Sequence, residues 1–227
     1  MVNEIPLKVG VDFTAEYNNN TNAGTATIFI TGTGFYKGNA EGSFTIKAVK
    51  LTSASMSKTE VVYNGKAQKP TATVKAKVNG STKTLKSGTD YTISYSNNKD
   101  VGKAKVTIKG KGNFTGSLTK TFKINPKGTT IKTPVAAKKA ITVKWAAQKA
   151  KMSKTRITGY QIMIATNKAF TKGKKTVTVS GYSKTSKKIT GLKAKTKYFI
   201  KVRTYKTVSG TKYYSKWSTV KTATAKA

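Results

Sequence analysis

Cysteine and histidine are both missing from the 227 residues. Their absence removes thiol nucleophiles, Ser-His-Asp arrangements, zinc sites built on Cys or His, and haem ligation. Carboxylates are scarce: Glu4, Asp12, Glu16, Glu41, Glu60, Asp90 and Asp100 are the only seven, set against 44 Lys and Arg for a net charge of +37. None follows Asp100. The paired carboxylates of a glycosidase and the acidic oxygens of a calcium site therefore cannot be assembled in the second half. The acids upstream are scattered, with no D-x-D-x-D-G run. No catalytic group, metal or cofactor is expected. No apolar run reaches the length of a membrane span, so no span is expected either.

Without cysteine there is no disulfide framework, which fits secreted proteins of Gram-positive bacteria and cytosolic proteins alike. Met1 is followed by Val-Asn-Glu-Ile-Pro rather than by a basic and then apolar leader. No wall-sorting tail follows Ala227. The chain reads as an excerpt of a longer protein.

What is present is β-forming. Hydrophobic residues make up 37%, enough for thin cores, and the β-branched and aromatic content separates the chain from disordered polycations. Residues 7–46 and 85–124 align without a gap at an offset of 78. Leu7, Gly10, Asp12, Tyr17 and Phe44 fall on Leu85, Gly88, Asp90, Tyr95 and Phe122. The alternation of Tyr91, Ile93 and Tyr95 predicts one strand, and that of Ala104, Val106 and Ile108 a second. Leu118, Phe122 and Ile124 predict a third, with Lys120 breaking its apolar face. Asn97-Asn98-Lys99-Asp100 and Gly110-Lys111-Gly112-Asn113 supply the turns. Val61 to Tyr63, the Asn64-Gly65 turn and Thr71 to Val78 complete the second copy. The first copy lacks counterparts of these, so residues 1–48 are expected to be the C-terminal half of a repeat and 49–126 a complete one.

The second copy resembles the Ig-like repeats of Firmicutes cell-surface proteins, through Tyr63-Asn64-Gly65-Lys66-Ala67-Gln68, Gly88-Thr89-Asp90-Tyr91 and Lys111-Gly112-Asn113-Phe114-Thr115-Gly116. The resemblance implies a structural or adhesive module with no catalytic residues. Beyond a short linker, Pro126-Lys127-Gly128, the pattern changes. Ile141, Val143 and Trp145 alternate, followed by Tyr160, Ile162 and Ile164, by Val177 and Val179, and by Tyr198, Ile200 and Val202. Short strands over about a hundred residues with a Trp on an early one predict a β-sandwich. Residues 127–227 resemble a fibronectin type III domain, with Trp145 as the core Trp, Tyr160 as the aromatic of the next strand, and Leu192 with Tyr198 as the tyrosine corner. The whole chain is thus expected to be all-β, a tandem of β-sandwich modules.

Tyr214-Ser215-Lys216-Trp217-Ser218 is similar to the Trp-Ser-x-Trp-Ser motif of cytokine-receptor relatives of that fold. The resemblance implies that Trp217 interleaves with Arg203 and Lys201 of the neighbouring strand. Two readings stand for Trp217, Arg203, Lys201 and Tyr214: a structural ladder over the sheet, or a ligand-stacking surface. Tyr205, Tyr213 and Tyr214 are candidates for a coplanar sugar platform.

The charge is uneven: residues 127–227 hold 26 Lys and Arg with no acid. Alternating lysines such as Lys103, Lys105 and Lys109, or Lys193, Lys195 and Lys197, keep strands soluble and discourage edge pairing. The sharper reading is docking on a polyanion, with an anionic cell-wall polymer or a host glycan as partner. A specific nucleic-acid partner is not expected, since no recognition motif is present and lysine predominates over arginine. Two functions remain open. One is a set of adhesion and spacer modules in a secreted or wall-associated protein. The other is accessory modules of a secreted glycoside hydrolase. Either way, upstream modules of a parent chain are expected partners.

Overall fold

The computed structural model describes residues 5–227, all of it strand, turn and loop with no helix. The sheets adopt a sandwich-like arrangement. By packing, the chain divides into two compact units. One comprises the described residues up to Ser57 with Ala72–Ser94 and Val106–Lys120, and the other comprises Lys58–Thr71, Tyr95–Lys105 and Thr121–Ala227.

The first copy of the repeat forms β1 (Phe13–Asn18), β2 (Gly24–Gly32) and β3 (Asn39–Ile46), an antiparallel sheet in the order β1-β2-β3. The second contains β4 (Val49–Met56), β5 (Glu60–Val62), β6 (Ala72–Val78), β7 (Ser81–Thr84), β8 (Tyr91–Ser96), β9 (Gly102–Gly110), β10 (Phe114–Thr115) and β11 (Ser117–Asn125). They make two sheets, ordered β10-β4-β6-β7 and β5-β11-β9-β8.

The aligned residues of the two copies repeat backbone detail. Asn19 and Asn97 both take a left-handed φ, 55° and 54°, which asparagine tolerates better than most residues. Asp12 Oδ2 accepts the Lys8 N–H at 2.8 Å, and Asp90 Oδ2 accepts the Lys86 N–H at 2.8 Å. A Cβ on Gly32 or Gly110 would meet the backbone of the following turn at 2.8 or 2.7 Å. The glycine is therefore required by close approach of two chain segments. The copies differ in cover: Phe44 is 42% exposed where its counterpart Phe122 is 1% exposed.

The last segment holds β12 (Val135–Ala137), β13 (Ala140–Lys144), β14 (Gly159–Ala165), β15 (Lys175–Ser180), β16 (Ser186–Thr190), β17 (Lys197–Val208), β18 (Thr211–Tyr214) and β19 (Lys221–Thr224). One sheet runs β12-β13-β16; the other runs β15-β14-β17-β18, with β19 also pairing β17. The core between them contains Ile141, Val143, Trp145, Tyr160, Ile162, Ile164, Ile200 and Val202, all fully buried. Alternation along β13, β14 and β17 puts these side chains on one face, as the sequence pattern predicts. Lys193 and Lys195 lie in the turn before β17 rather than on a strand, and both point to solvent.

The segment after β11 is tied down on both sides. Pro126 is buried. The Lys127 N–H donates to Met152 Sδ at 3.3 Å, and the Lys127 carbonyl accepts from Thr204 Oγ1 at 2.6 Å. Within the same compact unit, Val101 joins the core cluster of Trp145 and Met152, and Tyr63 Oη accepts the Ser153 N–H at 3.0 Å.

Candidate functional site

The outer face of β17 is where the sequence places a cation-aromatic ladder. Lys201 and Arg203 alternate with the inward Ile200, Val202 and Thr204, so they leave the sheet on its outer side. Lys201 Nζ lies 3.9 Å from the centre of the Phe170 ring and 5.1 Å from that of Trp217. The Arg203 guanidinium lies 4.3 Å from the Trp217 ring centre and 3.9 Å from that of Tyr214. Across the strand pair, Gln161 Oε1 accepts from Arg203 Nε at 2.8 Å and from Nη2 at 2.6 Å. The run Phe170, Lys201, Trp217, Arg203, Tyr214 is thus continuous. All four residues singled out by sequence are brought together; Phe170 and Gln161 are additions from distant loop and strand positions. Burial lowers the pKa of Arg203, with the Tyr214 hydroxyl opposing. Burial also lowers that of Lys201, reinforced by the Arg203 charge.

Two serines allow Trp217 to take this position. Between β18 and β19 the chain leaves regular pairing with β17, which would strand the Val202 and Thr204 N–H groups. Ser215 Oγ accepts the Thr204 N–H and Ser218 Oγ the Val202 N–H, both at 3.0 Å. Each hydroxyl then donates to the next carbonyl, Lys216 O and Thr219 O, at 2.8 Å. Side-chain oxygens replace the missing carbonyls, so the backbone groups stay satisfied while Lys216 and Trp217 bulge outward.

Beside the ladder is a cleft of about 870 Å³ whose lining includes Lys103, Lys123, Arg203, Lys212, Lys216 and Trp217. Its one acid, Glu60, is already engaged by Lys123 Nζ at 3.3 Å and Asn125 Nδ2 at 3.0 Å. That pair is the one salt bridge among the described residues. Tyr205, Tyr213 and Tyr214 do not make an exposed coplanar platform. Tyr205 is 3% exposed and tilted 43° from Tyr214, and Tyr213 packs against the core. Among the described residues no group of three acids could hold a metal ion.

The internal geometry of the last segment adds its own markers. Trp145 and Tyr160 pack with ring centres 5.1 Å apart. The Lys193 N–H donates to Tyr198 Oη at 3.0 Å, closing the turn before β17 beneath Leu192. Residues 125–221 match the model of the Fibronectin type III domain. A fibronectin type III domain is typically a non-catalytic module, and no catalytic family is indicated. Among curated proteins none matches the chain. Solved structures resemble it as well, and two of them show the range. The FN1-FN3 domains of chicken CNTN1 align over 89% of this chain and 76% of that one, at 17% identity and a TM-score of 0.35. A beta-1,2-glucanase from Parabacteroides distasonis aligns over 55% of this chain at 16% identity and a TM-score of 0.35, and the match spans 18% of the glucanase.

Inside the fibronectin type III domain, Tyr160 Oη donates to Tyr182 O at 2.6 Å and accepts the Gln148 N–H at 2.7 Å. Burial raises its pKa, with the Gln148 and Trp145 N–H groups acting the other way. The Trp145 Nε1–H itself meets no acceptor in hydrogen-bonding geometry. One residue escaped the sequence reading. Lys206 is 6% exposed, and its ammonium donates to Met152 O, Thr155 Oγ1, Thr155 O and Arg156 O at 2.7, 2.7, 2.9 and 3.3 Å. The signal was available: Lys206 continues the inward parity of Tyr198, Ile200, Val202 and Thr204.

The ladder makes a stability prediction. Trp217→Ala removes two cation-π contacts and costs about 1.5 kcal/mol, read as a lowered melting temperature against Lys216→Ala, an exposed neighbour. Equal melting of the two variants would mean that the stack does not stabilise the domain.

Proposed function

We propose that the chain is a non-catalytic adhesion and spacing segment of a secreted or wall-associated bacterial protein that docks on an anionic cell-wall polymer. Its modules are residues 1–48, the C-terminal half of a truncated repeat of the Ig-like kind found on Firmicutes surface proteins, 49–126, a complete one, and 127–227, a fibronectin type III domain. The carrying observation is the charge: residues 127–227 hold 26 cationic side chains, all but Lys206 outside the core, and no Asp or Glu to neutralise them. Most of these cations lie on exposed strand faces and turns, as Lys187, Lys188, Lys193 and Lys221 do. Such a surface attracts polyanions and gains entropy from released counterions.

The test is retention of the 227-residue chain on Gram-positive cell walls at about 0.15 M salt, where exposed charges are strongly screened. Retention that disappears when teichoic acid is extracted is the expected result. Failure to bind either wall preparation would reduce the charge to a solubility feature.

A further inference from the structure

We infer that the cleft between Lys103 and Lys123 on one wall and Arg203, Lys212 and Lys216 on the other is a binding site for the tetrahedral oxyanion esters, phosphate or sulfate, of a polyol or glycan chain. The inference rests on the polyanion reading above and assigns it a location. Three observations carry it. The first is unbalanced charge in a concave place. Glu60, the one acid of the lining, pairs with Lys123 and Asn125, and Lys103, Lys212, Lys216 and Arg203 have no ion-pair partner among the described residues. Walls of low dielectric concentrate the field of such charges and raise the local concentration of counter-ions.

The second is a preorganised arginine. Trp217 and Tyr214 both pack on Arg203, with ring centres 4.3 and 3.9 Å from the guanidinium, and Gln161 takes Nε and one hydrogen of Nη2. Of five N–H groups, three remain for a ligand. The guanidinium loses little freedom when an oxyanion arrives, because stacking has already fixed its plane. The third is neutral donors among the charges. Thr59, Thr121 and Thr211 line the same cleft, exposed, and their hydroxyls can donate to ester oxygens or bond the hydroxyls of a polyol backbone. The aromatic rings serve to hold the cations, so the site reads charge and hydroxyls rather than a sugar face.

The experiment compares two variants of the full chain with equal charge loss. One is Lys103→Gln, Lys212→Gln, Lys216→Gln in the cleft. The other is Lys175→Gln, Lys187→Gln, Lys188→Gln on exposed positions of β15 and β16. Neither touches the ladder, and thermal melting verifies that both fold. Binding of a glycerol-phosphate polymer and of a sulfated glycan is titrated at about 0.15 M salt. A parallel measurement uses iodide quenching of tryptophan emission. Trp145 is fully buried, so Trp217, at the cleft, reports.

The cleft variant is expected to lose about tenfold in affinity or more, and the control less than about threefold, since single screened surface charges each contribute little. Bound polymer is expected to protect Trp217 from iodide. Binding of only one polymer, lost in the cleft variant, supports the site and assigns its ester. Equal losses in the two variants overturn the cleft while leaving the polyanion reading intact. Absence of wild-type binding to both polymers overturns both.

Discussion

Lys206→Met is expected to destabilise the fibronectin type III domain by about 3 kcal/mol and to open the loop of residues 146–158 to trypsin. The reasoning starts from the acceptors. The ammonium gathers three carbonyls and a hydroxyl from Met152, Thr155 and Arg156, with no carboxylate among them. Methionine fills the space of the stem but takes the charged donor from Met152 O and Arg156 O, while Thr155 O keeps only the Met152 N–H at 2.8 Å. Hydrogen bonds to a charged group contribute about 1.5–3 kcal/mol each, and an orphaned buried acceptor costs about 1–3 kcal/mol. Part of this is offset because an ammonium no longer has to be desolvated. Denaturation followed by the emission of buried Trp145 measures the loss, and cleavage after Lys151 and Lys154 reports the loop.

The same lysine predicts a pH signature. Burial lowers its pKa from 10.5, while Asp100 pulls the other way with smaller effect. The unfolded chain therefore binds the proton more tightly than the folded one. Between the depressed folded pKa and 10.5, stability rises with pH, because the unfolded state holds more protons there. Other lysines titrate in both proteins and cancel in the comparison. The stability gap between wild type and Lys206→Met should be constant near neutral pH and widen as pH climbs toward 10.5. A gap that narrows over that window would show that the folded pKa lies above the unfolded one.

Val101→Asp is the second large effect. Val101 lies outside the fibronectin type III domain in sequence, in the turn leading into β9, yet it is 3% exposed within the cluster of Trp145 and Met152. A carboxylate there has lost its hydration, and none of its cluster mates is an ionic partner. Burying an unpaired polar or charged group costs several kcal/mol, and about 4 kcal/mol is expected. The alternative is expulsion of the turn from the core, which also breaks the Tyr63–Ser153 contact. Calorimetry distinguishes the outcomes: a lowered single transition follows from the buried charge, and a split transition from expulsion. Val101→Ala, which removes only methyl groups, should cost about 1–2 kcal/mol. Melting of Val101→Asp at the wild-type temperature would exclude any contribution of this contact.

How much was legible in the sequence depended on whether a feature was local. Strand parity put Tyr91, Ala104, Val106 and Ile108 inside, and Lys103 and Lys105 outside, because alternation along one strand needs no partner to be read. The outward placement of Lys201 and Arg203 came from the same rule, and their meeting with Trp217 from a motif only a few residues long. Gln161 and Phe170 were invisible because they reach Arg203 and Lys201 through strand pairing and a loop return, at sequence distances that no pattern encodes. The sugar platform failed partly on local grounds, since adjacent Tyr213 and Tyr214 on one strand face opposite ways, and partly on long-range ones, since Tyr205 is 3% exposed.

The amino-acid sequence by itself determined the all-β class, the repeat at an offset of 78, the absence of Cys and His chemistry, and the excess of positive charge. Each is a property of composition, of period-2 patterning or of self-similarity along the chain, and none depends on which segments meet. Only the tertiary structure decided what the exceptional residues do. Lys206 continues an apolar face, and it became a buried anchor because residues 152–156 turn their carbonyls toward it. Glu60 gained its partners because Lys123 and Asn125 reach it from the paired strand. Arg203 became a fixed donor because two rings from one segment and an amide from another close on it. These outcomes arise from long-range pairing, where the energy of a side chain is set by neighbours that its own stretch of chain does not contain.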